Sequence, residues 1–289
     1  MSLTTEACAN AENNLKIINN QPKNGVKKKF GVCLKQITYE DRSFAIKFIE
    51  WVHLLRILGA EKVHLSNRFV HPETYKAMKY FEKLGYIEVK PFLEPTGVPD
   101  IKHEWEARTL ELNMINDCFY RVINIYEFIV IIDPDEVIMP KSGSIKSWNQ
   151  LLDSVDYKSR NVDAYLSRSV TFPPLKAIAN PEIPKYHYIL QHFQRNERFL
   201  SFRAPYTNHK AILSPDNILS VFNHGYLECF ERQCTNFTFP TNVAQLNHYR
   251  DEEKVASNGQ TVVDTTVWKF KDELVRDVKE TIENMKFEP

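Results

Sequence analysis

Ile129-Val130-Ile131-Ile132 runs directly into Asp133-Pro134-Asp135-Glu136, and this junction decides the fold. A continuous apolar run predicts a buried parallel strand with both faces covered by helices. Ligands of open α/β sheets gather at the carboxyl ends of such strands. Here that end carries three carboxylates within four residues. Their mutual repulsion raises carboxylate pKa values unless a cation neutralises them. Mg²⁺ and Mn²⁺ take hard oxygen ligands, usually one or two carboxylates together with phosphate oxygens. Pro134 fixes φ in the middle of the motif and stiffens the turn. Two readings fit these four residues: a divalent-metal site that holds a nucleotide diphosphate, or a solvated acidic turn.

Upstream of the junction the pattern alternates between strand and helix. Val32-Cys33-Leu34 reads as a short strand, and Phe44 to Leu58 as a helix with Ala45, Ile49, Val52 and Leu55 on one face, stopped by Gly59. Lys62 to Leu65 is the next strand. Pro72 to Leu84 is a second helix that buries Tyr75, Met78, Phe81 and Leu84 before Gly85. Ile87-Glu88-Val89 is a third strand, and Glu104 to Tyr126 reads mostly as helix, with Leu112, Ile115, Phe119, Val122 and Tyr126 at helical spacing. This succession predicts an α/β protein with a doubly wound, mainly parallel sheet. Only eight glycines occur, and none forms a phosphate loop near the first strand. That argues against a dinucleotide fingerprint or a P-loop.

Downstream, Ser147 to Val155 is a helix candidate and Ala164 to Val170 a strand candidate. Prolines 173, 174, 181 and 184 mark long loops, the kind of segment that carries binding specificity over a rigid sheet. Thr265 to Met285 is amphipathic, with Val267, Phe270, Leu274, Val278, Ile282 and Met285 as its apolar stripe. The expected organisation is a tail or stem remnant over residues 1–29, a single catalytic domain over 30–255, and a C-terminal segment over 256–289 whose helix packs on the domain.

Composition narrows the classes of function. Thirty-seven basic and thirty-seven acidic residues balance among 289, so no global electrostatic case exists for nucleic acid. No apolar run approaches the ~20 residues of a membrane span, and Met1 to Asn20 is too polar for a signal peptide. The chain is expected to be soluble inside the cell, or to lack an anchor that a longer product carries. Five cysteines are too few for a disulfide scaffold. Cys33 and Cys118 read as buried thiols, while Cys229 and Cys234 are close enough to bridge in an oxidising compartment. Asn236-Phe237-Thr238 beside them is a glycosylation sequon.

Five stretches, in order, resemble glycosyltransferase family 92. They are Glu50-Trp51 with Arg56-Ile57-Leu58-Gly59-Ala60; Asn116-Asp117-Cys118-Phe119-Tyr120-Arg121; Asp133-Pro134-Asp135-Glu136; Lys210-Ala211-Ile212-Leu213-Ser214-Pro215 with His224; and His248-Tyr249-Arg250. The similarity covers about residues 30–255. Leu55 stands where the family often has His, and residues 171–205 align poorly. The resemblance implies a GT-A-type, metal-dependent, inverting transferase using Mn²⁺ or Mg²⁺. It would move a hexose, galactose from UDP-galactose, to a glycan or glycoprotein acceptor. Animal members are usually type II Golgi membrane proteins, so the resemblance implies the Golgi lumen, with this chain the catalytic domain of a membrane protein whose anchor it does not carry.

The resemblance gives the candidate residues their roles. Asp135 is the direct metal ligand, and Asp133 contacts the nucleotide ribose or the metal through water. Glu136 orients the motif or touches the sugar. His248 or His224 completes the metal shell; His248 is preferred because Arg250 and Lys254 follow it and neutralise the departing UDP. Asp117 and Lys210 are candidates for the nucleotide-sugar pocket, against readings as a helix-surface carboxylate and a solvated lysine. Trp51 reads as core, and Trp105 as pocket lining. Glu197, Asp216 and Glu228 are the carboxylates available as catalytic base, and the sequence does not choose among them. Two competing functions fit fewer residues. A haloacid-dehalogenase-like phosphatase would need its aspartates near the start of the chain, and a glycan-binding pseudoenzyme would keep the fold without turnover.

Overall fold

The computed structural model describes residues 19–37, 41–67, 70–91, 110–173, 182–190, 197–204, 208–250 and 260–287. Its first half follows the predicted βαβαβ order. Strand β1 (Lys28–Ile37) leads to helix α1 (Ala45–Ile57), β2 (Lys62–Asn67), α2 (Pro72–Lys83) and β3 (Ile87–Pro91). Helix α3 (Glu111–Val122) then feeds β4 (Tyr126–Ile131). These four strands are parallel, in the order β3-β2-β1-β4. Gly59 stops α1 with φ at 108°, a conformation available to glycine because it has no Cβ. Gly31 is needed for a different reason. A Cβ there would come within 2.4 Å of the Tyr126 ring, so glycine lets β1 and β4 pair.

Both faces of β4 are covered. Phe128, Val130 and Ile132 point into a core shared with α1, α2 and the C-terminal helix. Ile129 and Ile131 point into a second core under α3, as the period-two geometry of a strand requires. Helix α1 is buried on more than its predicted stripe: Phe48, Trp51 and Leu54 are buried along with Ala45, Ile49, Val52 and Leu55. The other two helices correct the expected faces. Helix α2 buries Thr74, Ala77, Met78 and Phe81, while Tyr75 and Leu84 are exposed. On α3 Leu112 is exposed, and Tyr126 lies beyond the helix and opens β4. Residues 104–109 of the predicted helix lie outside the described residues.

The second half is mixed. Strand β5 (Glu136–Pro140) follows the acidic turn, and helix α4 (Trp148–Asp153) starts at Ser147, whose side chain accepts from Gln150 N–H. Strand β6 (Ala164–Phe172) lies beside β8 (His209–Leu213), which runs antiparallel between β4 and β6. β7 (Glu197–Phe199) stands apart from this sheet. A hairpin of β9 (Ile218–Phe222) and β10 (Gly225–Cys229) packs on α3. Strand β11 (Asn236–Thr238) pairs with β6, and β12 (Ala244–Tyr249) lies between β6 and β5. β13 (Thr261–Val263) pairs with β7. The expected doubly wound α/β sheet is present and mainly parallel, with antiparallel β8 and β5 added to it.

The route from β4 to β5 shapes the site. Five Cα steps separate Ile131 from Glu136 and span at most ~19 Å. In a flat sheet β5 would lie four strand spacings from β4, also ~19 Å. The connection is not extended, because Glu136 N–H donates to the Asp133 carbonyl at 3.0 Å. The sheet therefore curls, and its far edge returns to the end of β4.

The chain termini and cysteines refine the predicted organisation. The ordered sheet begins at Lys28, and residues 1–18 of the expected tail lie outside the described residues. A 3-10 turn (Thr266–Phe270) leads into helix α5 (Lys271–Met285). All six residues of the predicted stripe are buried, and Thr281 Oγ1 meets His53 Nε2 of α1 at 2.7 Å. Cys33 and Cys118 are not thiols but a disulfide that ties β1 to α3. They fall 85 residues apart, so only the tertiary fold brings them together. Cys229 and Cys234 form the second bridge. Among the described residues no helix is long and apolar enough to cross a membrane.

Candidate active site

The curl of the sheet gathers three elements around Asp133-Pro134-Asp135-Glu136: the end of β1 with Lys35, the start of β8 with Lys210, and the end of β12 with His248. Glu136 is the hinge of the motif. Its carbonyl accepts from the Trp51 indole N–H at 3.0 Å, and its Oε2 accepts from the Asp133 N–H at 3.2 Å. Trp51 is thus core, as read from the sequence, and also an anchor for the first residue of β5.

Lys210 is buried, not solvated. Its side chain has no exposure, and its Nζ lies 3.0 Å from Asp133 Oδ2, 3.1 Å from Glu136 Oε2, 2.8 Å from the Asn223 carbonyl and 2.5 Å from Asn223 Oδ1. Lys35 Nζ approaches the other Asp133 oxygen at 3.5 Å and bonds Glu111 Oε1 at 3.0 Å. The repulsion expected of clustered carboxylates is therefore relieved by lysines. Burial alone would raise the Asp133 pKa, but the charges of Lys210 and Lys35 and the hydrogen bonds from Lys210 and Asn223 hold it well below the usual carboxylate range. Burial raises Glu136 against the opposing charge of Lys210, and Asp133 and Asp135 add to the rise. Burial lowers Lys210, yet Asp133 and Glu136 outweigh it and keep the ammonium charged.

Asp135 is the exposed member of the motif, with 37% of its side chain open to solvent. Its Oδ2 lies 3.2 Å from His248 Nε2, and Glu136 Oε1 lies 3.5 Å from His248 Nδ1. Sheet register produces this contact, because His248 on β12 faces Glu136 on β5. Burial pulls the His248 pKa down, but the Asp135 bond and the charges of Glu136 and Asp135 raise it above the ordinary value. Arg250 Nε also approaches His248 Nε2, at 3.4 Å. One nitrogen cannot donate to Asp135 and accept from Arg250 together. The Asp135 contact is the shorter of the two.

His224 is placed differently. Its Nδ1 bonds the His209 carbonyl at 3.1 Å, and burial followed by the Lys210 charge lowers its pKa. It neighbours Asn223 without a bond to the acidic turn among the described residues. Asp117 is not brought to the turn either. Its side chain is 59% exposed and accepts from Arg121 Nε at 2.9 Å, about 9 Å along α3 from Glu111 at 1.5 Å per residue. Asp216 pairs with Lys27, Glu197 accepts from Thr261 Oγ1, and Glu228 is exposed on β10. Among the described residues, none of these three is bonded to the acidic turn. Trp105 and Lys254 lie outside the described residues.

The other residues of the Asn116-Asp117-Cys118 stretch have structural roles beside this site. Asn116 Nδ2 donates to the Val221 carbonyl and its Oδ1 accepts from the Val221 N–H, so one side-chain amide pairs with β9 as another strand would. Two residues on, Asn223 is held against Lys210 and Asp133. Lys35, Glu111 and Asn223 carry no sequence signal of a site; their approach depends on the curl of the sheet.

The residues fit a divalent ion as part of a shell. Asp135 and His248 Nε2 offer two adjoining ligands, and Asp133 Oδ1 is buried with no hydrogen bond among the described residues. Among those residues no three of His, Cys, Asp and Glu form a set that would hold a metal alone. Magnesium-type sites commonly complete themselves with substrate phosphates, so this half-shell suits an ion that arrives with a diphosphate.

No curated protein matches the chain. Similar solved structures include S. aureus TarS 1–349 in complex with UDP-GlcNAc, at 14% identity and a TM-score of 0.42, covering 90% of this chain and 68% of that one. Another is a putative glucose-1-phosphate thymidylyltransferase from Bacillus anthracis in complex with a sucrose, at 11% identity and a TM-score of 0.34, covering 87% and 96%. The sequence pattern of one family matches residues 28–288, from the first strand through the last helix. The chain belongs to glycosyltransferase family 92.

Proposed function

We propose that this chain is a metal-dependent, inverting hexosyltransferase that moves galactose from UDP-galactose to a glycan acceptor. The observation that carries the reading is the meeting of Asp135 and His248 at 3.2 Å, at the carboxyl end of β4. Asp135 and His248 would hold Mn²⁺ or Mg²⁺, which supplies positive charge to the diphosphate leaving group. His248 must give up its proton to do so. Arg250 adds a fixed charge on the same side. Galactose and inversion rest on the family resemblance. The two disulfides support an oxidising compartment, consistent with the Golgi lumen, and the sequon residue Asn236 is exposed there for modification.

The test is UDP release from UDP-galactose, UDP-glucose, UDP-N-acetylglucosamine and GDP-mannose, with Mn²⁺ and with excess EDTA. UDP-galactose with Mn²⁺ should be preferred, and Asp135→Asn should lower turnover by about a hundredfold or more with the fold intact by circular dichroism. Full activity in EDTA, or wild-type turnover in Asp135→Asn, would move the metal site elsewhere. Preference for the GDP sugar would overturn the donor.

A further inference from the structure

Among the described residues Lys210 is the only buried lysine. Four oxygens surround its Nζ, two of them from the carboxylates of the acidic turn. An ammonium has three N–H bonds, so these four acceptors leave none for a phosphate or a sugar. Solvent cannot reach it, and Asn223, which supplies two of the four oxygens, follows the strand that Asn116 holds. An ammonium that buries its charge among oxygens in this way does what a coordinated metal ion does.

We propose that Lys210 is a resident cation of the acidic turn: it occupies the inner side of Asp133 and Glu136, so that a divalent ion binds only on the outer side, at Asp135 and His248. This rests on the transferase reading only where a diphosphate completes the outer shell. Two lysines, Lys210 and Lys35, already face Asp133, and their charge opposes a second cation on that carboxylate. The wild-type protein should therefore hold Mn²⁺ weakly without nucleotide. Lys210 is a positioning residue, which fixes Asp133 and Glu136 and touches no substrate.

Removing a lysine that helped bind phosphate would weaken metal and nucleotide together. Removing a resident cation leaves two buried carboxylates with Lys35 and His248 as their remaining cationic neighbours, and they should recruit a metal. Mn²⁺ binding without nucleotide, followed by the electron paramagnetic resonance of the free ion, should tighten by about tenfold or more in Lys210→Met. The thermal midpoint of Lys210→Met should be low in EDTA and recover with Mn²⁺. The double variant Lys210→Met/Asp133→Asn should be the more stable of the two in EDTA and should lose the gain in Mn²⁺ affinity. Unchanged or weaker Mn²⁺ binding in a folded Lys210→Met overturns the proposal. If Lys210→Met does not fold even with Mn²⁺, the double variant decides: its folding supports the charge pairing, and its failure overturns it. A gain of Mn²⁺ affinity in Lys210→Met, with no UDP release by the wild-type protein, would keep the resident cation and remove the transferase reading. The converse pair of results would do the reverse.

Discussion

Strands β4 and β12 are both six residues long and both lie in the interior of the sheet, yet they reach burial by different means. Apart from exposed Glu127, β4 is apolar or aromatic throughout, and its chemistry sits beyond its end. β12 carries its chemistry along its length. Gln245 Nε2 donates to Asn247 Oδ1 at 2.7 Å and to Asp264 Oδ2 at 3.0 Å, and Asn247 Nδ2 donates to the Tyr249 hydroxyl at 2.9 Å. Residues two apart share a face of a strand, so one face of β12 is a buried polar ladder. The intervening position His248 is directed to the site. An apolar strand can deliver a reactive turn; a strand with a hydrogen-bonded polar face can hold a reactive side chain in place.

The largest expected effect breaks the ladder at its base. Asp264 is buried and accepts from Lys141 Nζ at 2.6 Å and Arg198 Nε at 2.8 Å. Burial would raise its pKa, but hydrogen bonds from Lys141, Thr266 and Arg198 hold it well below the usual range. Asp264→Ala leaves both cations short of a partner and should cost about 3–5 kcal/mol in chemical unfolding. A cost under about 1 kcal/mol would mean that β12 is held by its neighbouring strands alone.

The same contrast explains what was legible in the sequence. β4 was found because apolar runs mark buried strands, and the acidic turn because its carboxylates are contiguous. β12 was not found as a strand, because Gln245 and Asn247 are of types that usually face water. Lys210 carries a solvated alternative for the same reason, even within its family motif. His248 was singled out only through the family's motif and the basic residues that follow it. Its contact with Asp135 depends on the β5–β12 register, which no local pattern encodes. Asp117 carries a helix-surface alternative beside its pocket reading, because a motif match does not say which way a helix residue faces.

Titration should separate the two regions next. His53 on α1, in the core that backs β4, has its pKa pushed down to about 4 by burial. It must stay neutral in the fold, so its contribution is full above its unfolded pKa near 6.5 and is lost as pH falls through about 4. The loss is at most about 3 kcal/mol. His248 has the opposite sign, because its folded pKa is raised. Its contribution is full below about 6.5 and is lost as pH rises through the folded value. Unfolding midpoints between pH 4 and 8, for wild type, His53→Gln and His248→Gln, should show the acid-side loss shrinking in the first variant only. Equal shrinkage in both would contradict the assigned directions.

A smaller effect compares substitutions of similar volume. Ile129→Leu on β4 keeps apolar contacts and should cost under about 1.5 kcal/mol. Asn247→Leu on β12 removes a donor to the Tyr249 hydroxyl and one of the two acceptors of Gln245 Nε2, and should cost about 1–3 kcal/mol. If Asn247→Leu is neutral, the ladder adds no stability beyond its packing, and the distinction between the two strands is one of composition only.

The smallest expected effect tests where the loop over residues 182–190 is fixed. Glu50 of α1 is buried and accepts from His187 Nδ1 at 2.9 Å and from the backbone N–H groups of Tyr188, Ile189 and Leu190 at 2.6, 2.6 and 2.8 Å. Those four donors satisfy the carboxylate without a lysine, unlike the acidic turn. The loop also reaches β12, where the Tyr188 hydroxyl donates to the Tyr249 carbonyl at 2.7 Å. Tyr188→Phe removes that one bond and keeps the ring, which stands edge-on to Tyr249 and under the Lys47 ammonium. With Glu50 as the principal anchor, the variant should lose about 1 kcal/mol, and amide exchange at Tyr188, Ile189 and Leu190 should stay slow. Glu50→Gln puts an N–H₂ group among N–H donors and should open those amides to exchange. If Tyr188→Phe opens them and Glu50→Gln does not, the loop is hung from β12 rather than from α1, and β12 organises this loop as well as His248.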